Sequence, residues 1–107
     1  MLQSCPGDIV FVNTGWMNIF EQERILSDSG EPGLNMSTIE WLYKHDVSAI
    51  GADNYGVDVV ATMPPTELSF HFATIRDLGL YLIEDLKLQP LADHKRYEFL
   101  FIAAPLR

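Results

Sequence analysis

The sequence predicts a mixed α/β domain, and three observations carry that expectation. Short β-branched and aromatic runs alternate with stretches that place apolar residues at helical spacing. Turn residues, not long polar tracts, separate them. The length of 107 residues and the 48% apolar content suit one globular domain with a core of moderate size. No internal repeat or low-complexity tract interrupts the pattern.

Charge and targeting signals narrow the function classes. Fifteen acidic residues against seven basic give a net charge of −8, which repels a phosphate backbone, so nucleic acid is not an expected partner. No stretch approaches the roughly 20 apolar residues needed to cross a bilayer, so no membrane span is expected. The start, MLQSCPGD, lacks a basic region followed by an apolar one and does not read as a signal peptide. The one cysteine, Cys5, cannot close an internal disulfide, which suits a reducing cytoplasm.

In chain order, Cys5-Pro6-Gly7-Asp8 is a turn signal. Ile9–Val12 follows as a strand apolar on both faces, the pattern of a strand in the middle of a sheet. Asn13-Thr14-Gly15 ends it, and Trp16–Leu26 reads as a short irregular helix. Ser27–Asn35 is loop by composition. Ser37-Thr38-Ile39-Glu40 has capping-box spacing, with Ser37 as N-cap of a helix that ends near Asp46 and carries Ile39, Leu42 and Tyr43 as its stripe. Val47–Ala52 is the next strand, and its small residues permit close approach of a neighbouring backbone.

Val57–Ala61 is a further apolar run around Asp58, counted as a third strand and stopped by Pro64-Pro65. Thr66–Asp77 is predicted helical, with Leu68, Phe72 and Ile75 at helical spacing. Gly79 breaks the period, and Leu80–Leu86 reads as a buried strand. Gln89–Lys95 is a polar connection, and Tyr97–Ala103 is the last predicted strand. The chain opens almost on a core strand and stops just after another, so both ends are expected to be cut, leaving unpaired edges and poor solubility.

Two side chains have a claim to chemistry, His71 and Glu84. From His71 to the helix end is roughly 10 Å at the helical rise. From Gly79 to Glu84 is about 16 Å at the strand rise. A strand folding back along the helix brings imidazole and carboxylate together, as a divalent metal or a proton-transfer site requires. The bland alternative is a helix-face histidine and a strand-end carboxylate, both solvated. Asp53 and Asp58 read as turn formers, His45 as a dipole-side surface residue and His94 as exposed. Cys5 has no companion that would activate it. Trp41 and Tyr43 read as core.

The ordered set Gly7-Asp8-Ile9-Val10, Thr14-Gly15-Trp16, Pro32-Gly33-Leu34, Trp41-Leu42, Ile50-Gly51-Ala52-Asp53, His71 thirteen residues before Glu84, and Ala104-Pro105-Leu106 resembles the Putative cyclase family. That family includes bacterial kynurenine formamidases and isatin hydrolases. The resemblance implies a barrel-like mixed sheet flanked by helices, here the C-terminal half of a truncated domain spanning residues 1–107. It implies a metal-dependent hydrolase of amide or lactam bonds that binds zinc or manganese and assembles into homo-oligomers. Glu84 matches a metal ligand, and His71 matches a ligand or a catalytic group beside the reacting water. Trp16 or Trp41 would lie near the pocket. The implied chemistry is attack of metal-bound hydroxide on a carbonyl, as in an arylformamidase of tryptophan catabolism acting on formylkynurenine. The family's His-x-Gly-Thr-His-x-Asp run is absent from this chain, so the 107 residues alone are expected to be inactive. The competing reading is a non-catalytic oligomerisation or interaction domain.

Overall fold

The computed structural model describes residues 4–24, 30–61 and 68–104. Leu26, Ser27, Pro64-Pro65, Thr66 and Pro105–Arg107, where sequence features are expected, lie outside the described residues. The order is β1 (Ile9–Val12), α1 (Trp16–Glu23), a 3-10 turn (Met36–Thr38) running into α2 (Ile39–Lys44), and β2 (Ala49–Ala52). Then come α3 (Ser69–His71) running into a π-helical segment (Phe72–Asp77), β3 (Tyr81–Ile83) and α4 (Gln89–Asp93). This is the α/β class that the patterning predicts.

The three strands form one sheet in the order β1-β2-β3, parallel throughout. Parallel neighbours require a crossover between them. The segment holding α2 makes the first, and the one holding α3 and the π-helical segment makes the second. Over the described residues the sheet is open, not closed into a barrel. Ile9–Val12 forms its strand but lies at an edge, not in the middle as its apolar run predicts. The middle belongs to Ala49–Ala52, buried at every residue. Its small side chains let both neighbours approach, in registers Phe11 with Gly51 and Gly51 with Ile83. The core lies around this strand: Leu42 from α2, Val47, Ile50, Ala52, Val57 and Phe70, with Val10, Leu34 and Leu82 packed against them.

Several local expectations are corrected. The cap of the 36–44 helical stretch is Asn35, whose side chain accepts from the Ser37 N–H at 2.9 Å, so Ser37 is inside the first turn. Glu40 does not reach back to Ser37; it pairs with Lys44 at 2.6 Å. Gln89–Asp93 is a helical turn begun by Pro90, a residue preorganised for a first turn. Val57–Ala61 is not a strand: its ladder is reduced to isolated bridges, Glu31 with Val60 and Leu34 with Asp58. Tyr97–Ala103 has no regular structure. Phe99 and Phe101 pack on Phe11 at 6.1 and 4.9 Å between ring centroids, while Leu100 and Ile102 point outward. The apolar run therefore docks one face by aromatic contact without a backbone ladder. No helix of the described residues is long and apolar enough to cross a membrane.

Candidate functional site

Because the three strands are parallel, their carboxyl ends share one edge of the sheet, where α/β folds place their sites. Three segments emerge there: Asn13-Thr14-Gly15 after β1, Asp53–Asp58 after β2, and Glu84-Asp85 after β3. The crossover from β2 to β3 starts from that edge, and His71 closes its first helical turn. The chain then reverses at Gly79, whose φ of 71° is open to glycine and costly for other residues. β3 returns to deliver Glu84 to the edge the crossover left. His71 Nε2 and Glu84 Oε1 are 3.3 Å apart. Imidazole and carboxylate are brought together, so neither is isolated; the His71 ring is half-buried and Glu84 remains exposed to solvent.

The segment after β2 is tied down on all sides. Asn54, fully buried, donates to the carbonyls of Pro32 at 2.7 Å and Asp58 at 3.2 Å, and accepts from the Val57 N–H at 3.0 Å. The Asp58 N–H bonds the Gly56 carbonyl two residues back at 2.5 Å, around Val57 at φ 60°. That is a γ-turn with a β-branched residue in the left-handed region, a strained arrangement. Gly33 lies against the turn: a Cβ there would meet the Val57 carbonyl oxygen at 2.6 Å and the Asp58 carbonyl closer still. The turn aims the buried Asp58 carboxylate at the far side of the His71 ring, with Oδ2 3.8 Å from Nδ1. That separation is too long for a hydrogen bond. Nδ1 is therefore buried without a hydrogen-bond partner.

Glu31, from the loop before α2, ties down the same segment after β2. It is buried, and its carboxylate accepts from the N–H groups of Tyr55 at 2.8 Å and Gly56 at 2.9 Å. Burial pushes this carboxyl above its ordinary range; the two N–H groups oppose the rise, and the charges of Asp85 and Glu84 add to it. Asp58 is likewise raised by burial, against the pull of the His71 ring and the Val59 N–H. Asp85 is raised by burial and by the Glu84 charge.

A cavity of about 440 Å3, lined by Asn35, Met36, Ser37, Asp58, Val59 and Ser69, opens against Asp58. Its size is within the range of small-molecule sites. Neither Trp16, buried and stacked on Phe20, nor Trp41, stacked on His45, lines it. Trp41 lines a larger hollow of about 990 Å3 beside Phe11 and Phe99, among residues that include neither His71 nor Glu84.

Asp53 does turn-region work across the sheet. It accepts from the Thr14 N–H and hydroxyl and from the Gly15 N–H, so it is spent on the entry to α1. His94 is exposed, bonding the Pro90 carbonyl. Glu31 and Asp58 are the site residues that sequence reasoning passes over. Asp58 does carry a signal, an acid set between valines in an apolar run; Glu31, in a Gly-Pro loop, carries none.

The fold and site define an α/β domain with an imidazole–carboxylate pair at the carboxyl edge of a parallel sheet. A family model described as Putative cyclase matches residues 2–59, more than half of the chain. The chain belongs to that family. His71 and Glu84 lie beyond the matched segment. A solved structure described as the crystal structure of a novel cyclase is 27% identical, with a TM-score of 0.71. The likeness covers 86% of this chain and 31% of that one, so the chain spans about a third of the length of the structure it matches. No curated protein matches it.

Among the described residues, no group of three or more His, Cys, Asp or Glu side chains is arranged to hold a metal ion. The residues present fit part of such a site. His71 Nε2 and Glu84 Oε1 are a nitrogen and an oxygen donor facing each other, and a catalytic zinc takes about three protein ligands.

Proposed function

We propose that this chain is the C-terminal half of a metal-dependent hydrolase of amide or lactam bonds, with His71 and Glu84 as two of the ligands for zinc or manganese. The observation that carries this reading is the 3.3 Å approach of His71 Nε2 to Glu84 Oε1 at the carboxyl edge of the sheet. When bound, the ion supplies an activated water at neutral pH and polarises the substrate carbonyl. Glu84 offers a carboxylate oxygen to the ion, and His71 either shares the ion or carries a proton to the leaving nitrogen. The hollow beside Asp58 admits a small molecule, and Met36 and Val59 give its wall an apolar patch for an aryl group. An aryl formamide of the formylkynurenine type is the substrate class we favour, which makes the activity arylformamidase-like. The open edges of β1 and β3 are where a larger, barrel-like sheet would continue. Homo-oligomeric assembly and a cytoplasmic setting belong to the same reading.

Metal analysis tests it. Stoichiometric zinc or manganese in the purified protein, lost in Glu84→Gln, is the expected result. A folded protein that takes up neither ion would instead favour a non-catalytic interaction domain.

A further inference from the structure

The site reading leaves one group without a task. Asp58 is buried, belongs to neither donor of the pair, and is held by a strained γ-turn whose three anchors converge on it. What it faces is the one buried side-chain polar atom among the described residues that lacks a hydrogen bond, His71 Nδ1.

We propose that Asp58 is the positioning residue of His71, holding a proton on Nδ1 so that the Nε2 lone pair is directed toward Glu84 and a bound ion. This rests on the ligand role given to His71 above. A carboxylate beside a ring nitrogen disfavours a lone pair there and favours N–H. Metal-binding histidines are commonly oriented in this way, their second nitrogen donating to a carboxylate or carbonyl. The 3.8 Å separation is a short movement from hydrogen-bond distance, within reach of a small tilt of the ring. The Thr74 hydroxyl bonds the carbonyls of Phe70 and His71, and the π-helical segment starts at the next residue, so the backbone under His71 is fixed from behind. π-Helical turns of this kind recur at functional sites. With the backbone held, the ring has its side-chain torsions left, and Asp58 lies where it can set them.

Long-range nitrogen–proton correlation spectra of the imidazoles test this, with His71 assigned by loss of its signals in His71→Ala. The wild-type ring should show a protonated Nδ1, whether Nε2 is protonated or metal-bound. In Asp58→Asn the amide can donate to Nδ1, so the ring should swing toward an unprotonated Nδ1 with its proton on Nε2. Zinc affinity of the same variant should fall about 10- to 100-fold. A wild-type ring with a bare Nδ1 overturns the proposal without any variant. So does Asp58→Asn with unchanged ring protonation. A protonated Nδ1 that depends on Asp58, in a protein that takes up no zinc, supports the positioning role and rejects the hydrolase reading. Tight zinc binding equal in wild type and Asp58→Asn does the reverse.

Discussion

Glu31 and Gly56 are twenty-five residues apart in sequence, and the carboxylate of the first accepts the backbone N–H of the second at 2.9 Å in a buried setting. The same carboxylate takes the Tyr55 N–H, so one acid pins the segment that carries Asp58. This acid makes stability depend on pH in an unusual direction. Burial holds its folded pKa above the ordinary 4.5, so the folded state binds the proton more tightly than the unfolded chain. The resulting stabilisation is present at pH below 4.5 and is lost as pH rises from there through the raised folded value. Asp58 and Asp85 act in the same sense. Asp77, held low by Arg76, titrates below its ordinary 3.8 and outside that window. Thermal unfolding from about pH 4 to neutrality should show a melting temperature that falls, with a shallower slope in Glu31→Gln. A melting temperature rising over the same range would contradict the assignment.

Gly33 should not tolerate a methyl group. A Cβ there overlaps the backbone carbonyls of Val57 and Asp58, and backbone cannot rotate aside as a side chain can. Gly33→Ala is expected to cost about 3 kcal/mol, the upper end for overpacking. Urea denaturation reads the loss; a variant as stable as wild type would mean that the turn yields freely.

At Val57 the usual preference for alanine over glycine should invert. Both truncations remove the two buried methyl groups and glycine loses Cβ as well, but φ is 60°, where an L-residue is strained by about 1–2 kcal/mol and glycine is not. Val57→Gly is therefore expected to unfold at higher denaturant concentration than Val57→Ala, with the gap near 1 kcal/mol.

Asp53 serves three donors at the entry to α1. Asp53→Ala leaves them without an acceptor, a loss of about 3 kcal/mol. Asp53→Asn, which keeps one acceptor oxygen, should lose less. Equal losses, read by chemical denaturation, would show that the one oxygen the amide retains restores nothing.

The element types were legible where pattern and context agreed. Ile9–Val12 and Val47–Ala52 read as strands because β-branched or small apolar runs bounded by turns have few other uses, and Trp16 onward read as helix. Tyr97–Ala103 has the composition of a strand but gains no backbone partner, since pairing depends on a neighbour that composition cannot specify. Asn35, read as the last loop residue, takes the place of Ser37 as cap because its side chain satisfies the Ser37 N–H, which capping-box spacing does not report.

By itself the sequence determined an α/β class, a small acidic domain, membership of a family, and the two residues whose chemistry stood out, His71 and Glu84. Only the tertiary structure decided that β2 is the central strand, that the sheet is parallel, that Asp58 faces the imidazole, and that Glu31 pins the segment carrying Asp58. Periodicity reports which face of an element is buried, through contacts a few residues apart. Which carboxylates meet one histidine depends on where the ends of separate strands emerge, and that is a property of the packed sheet.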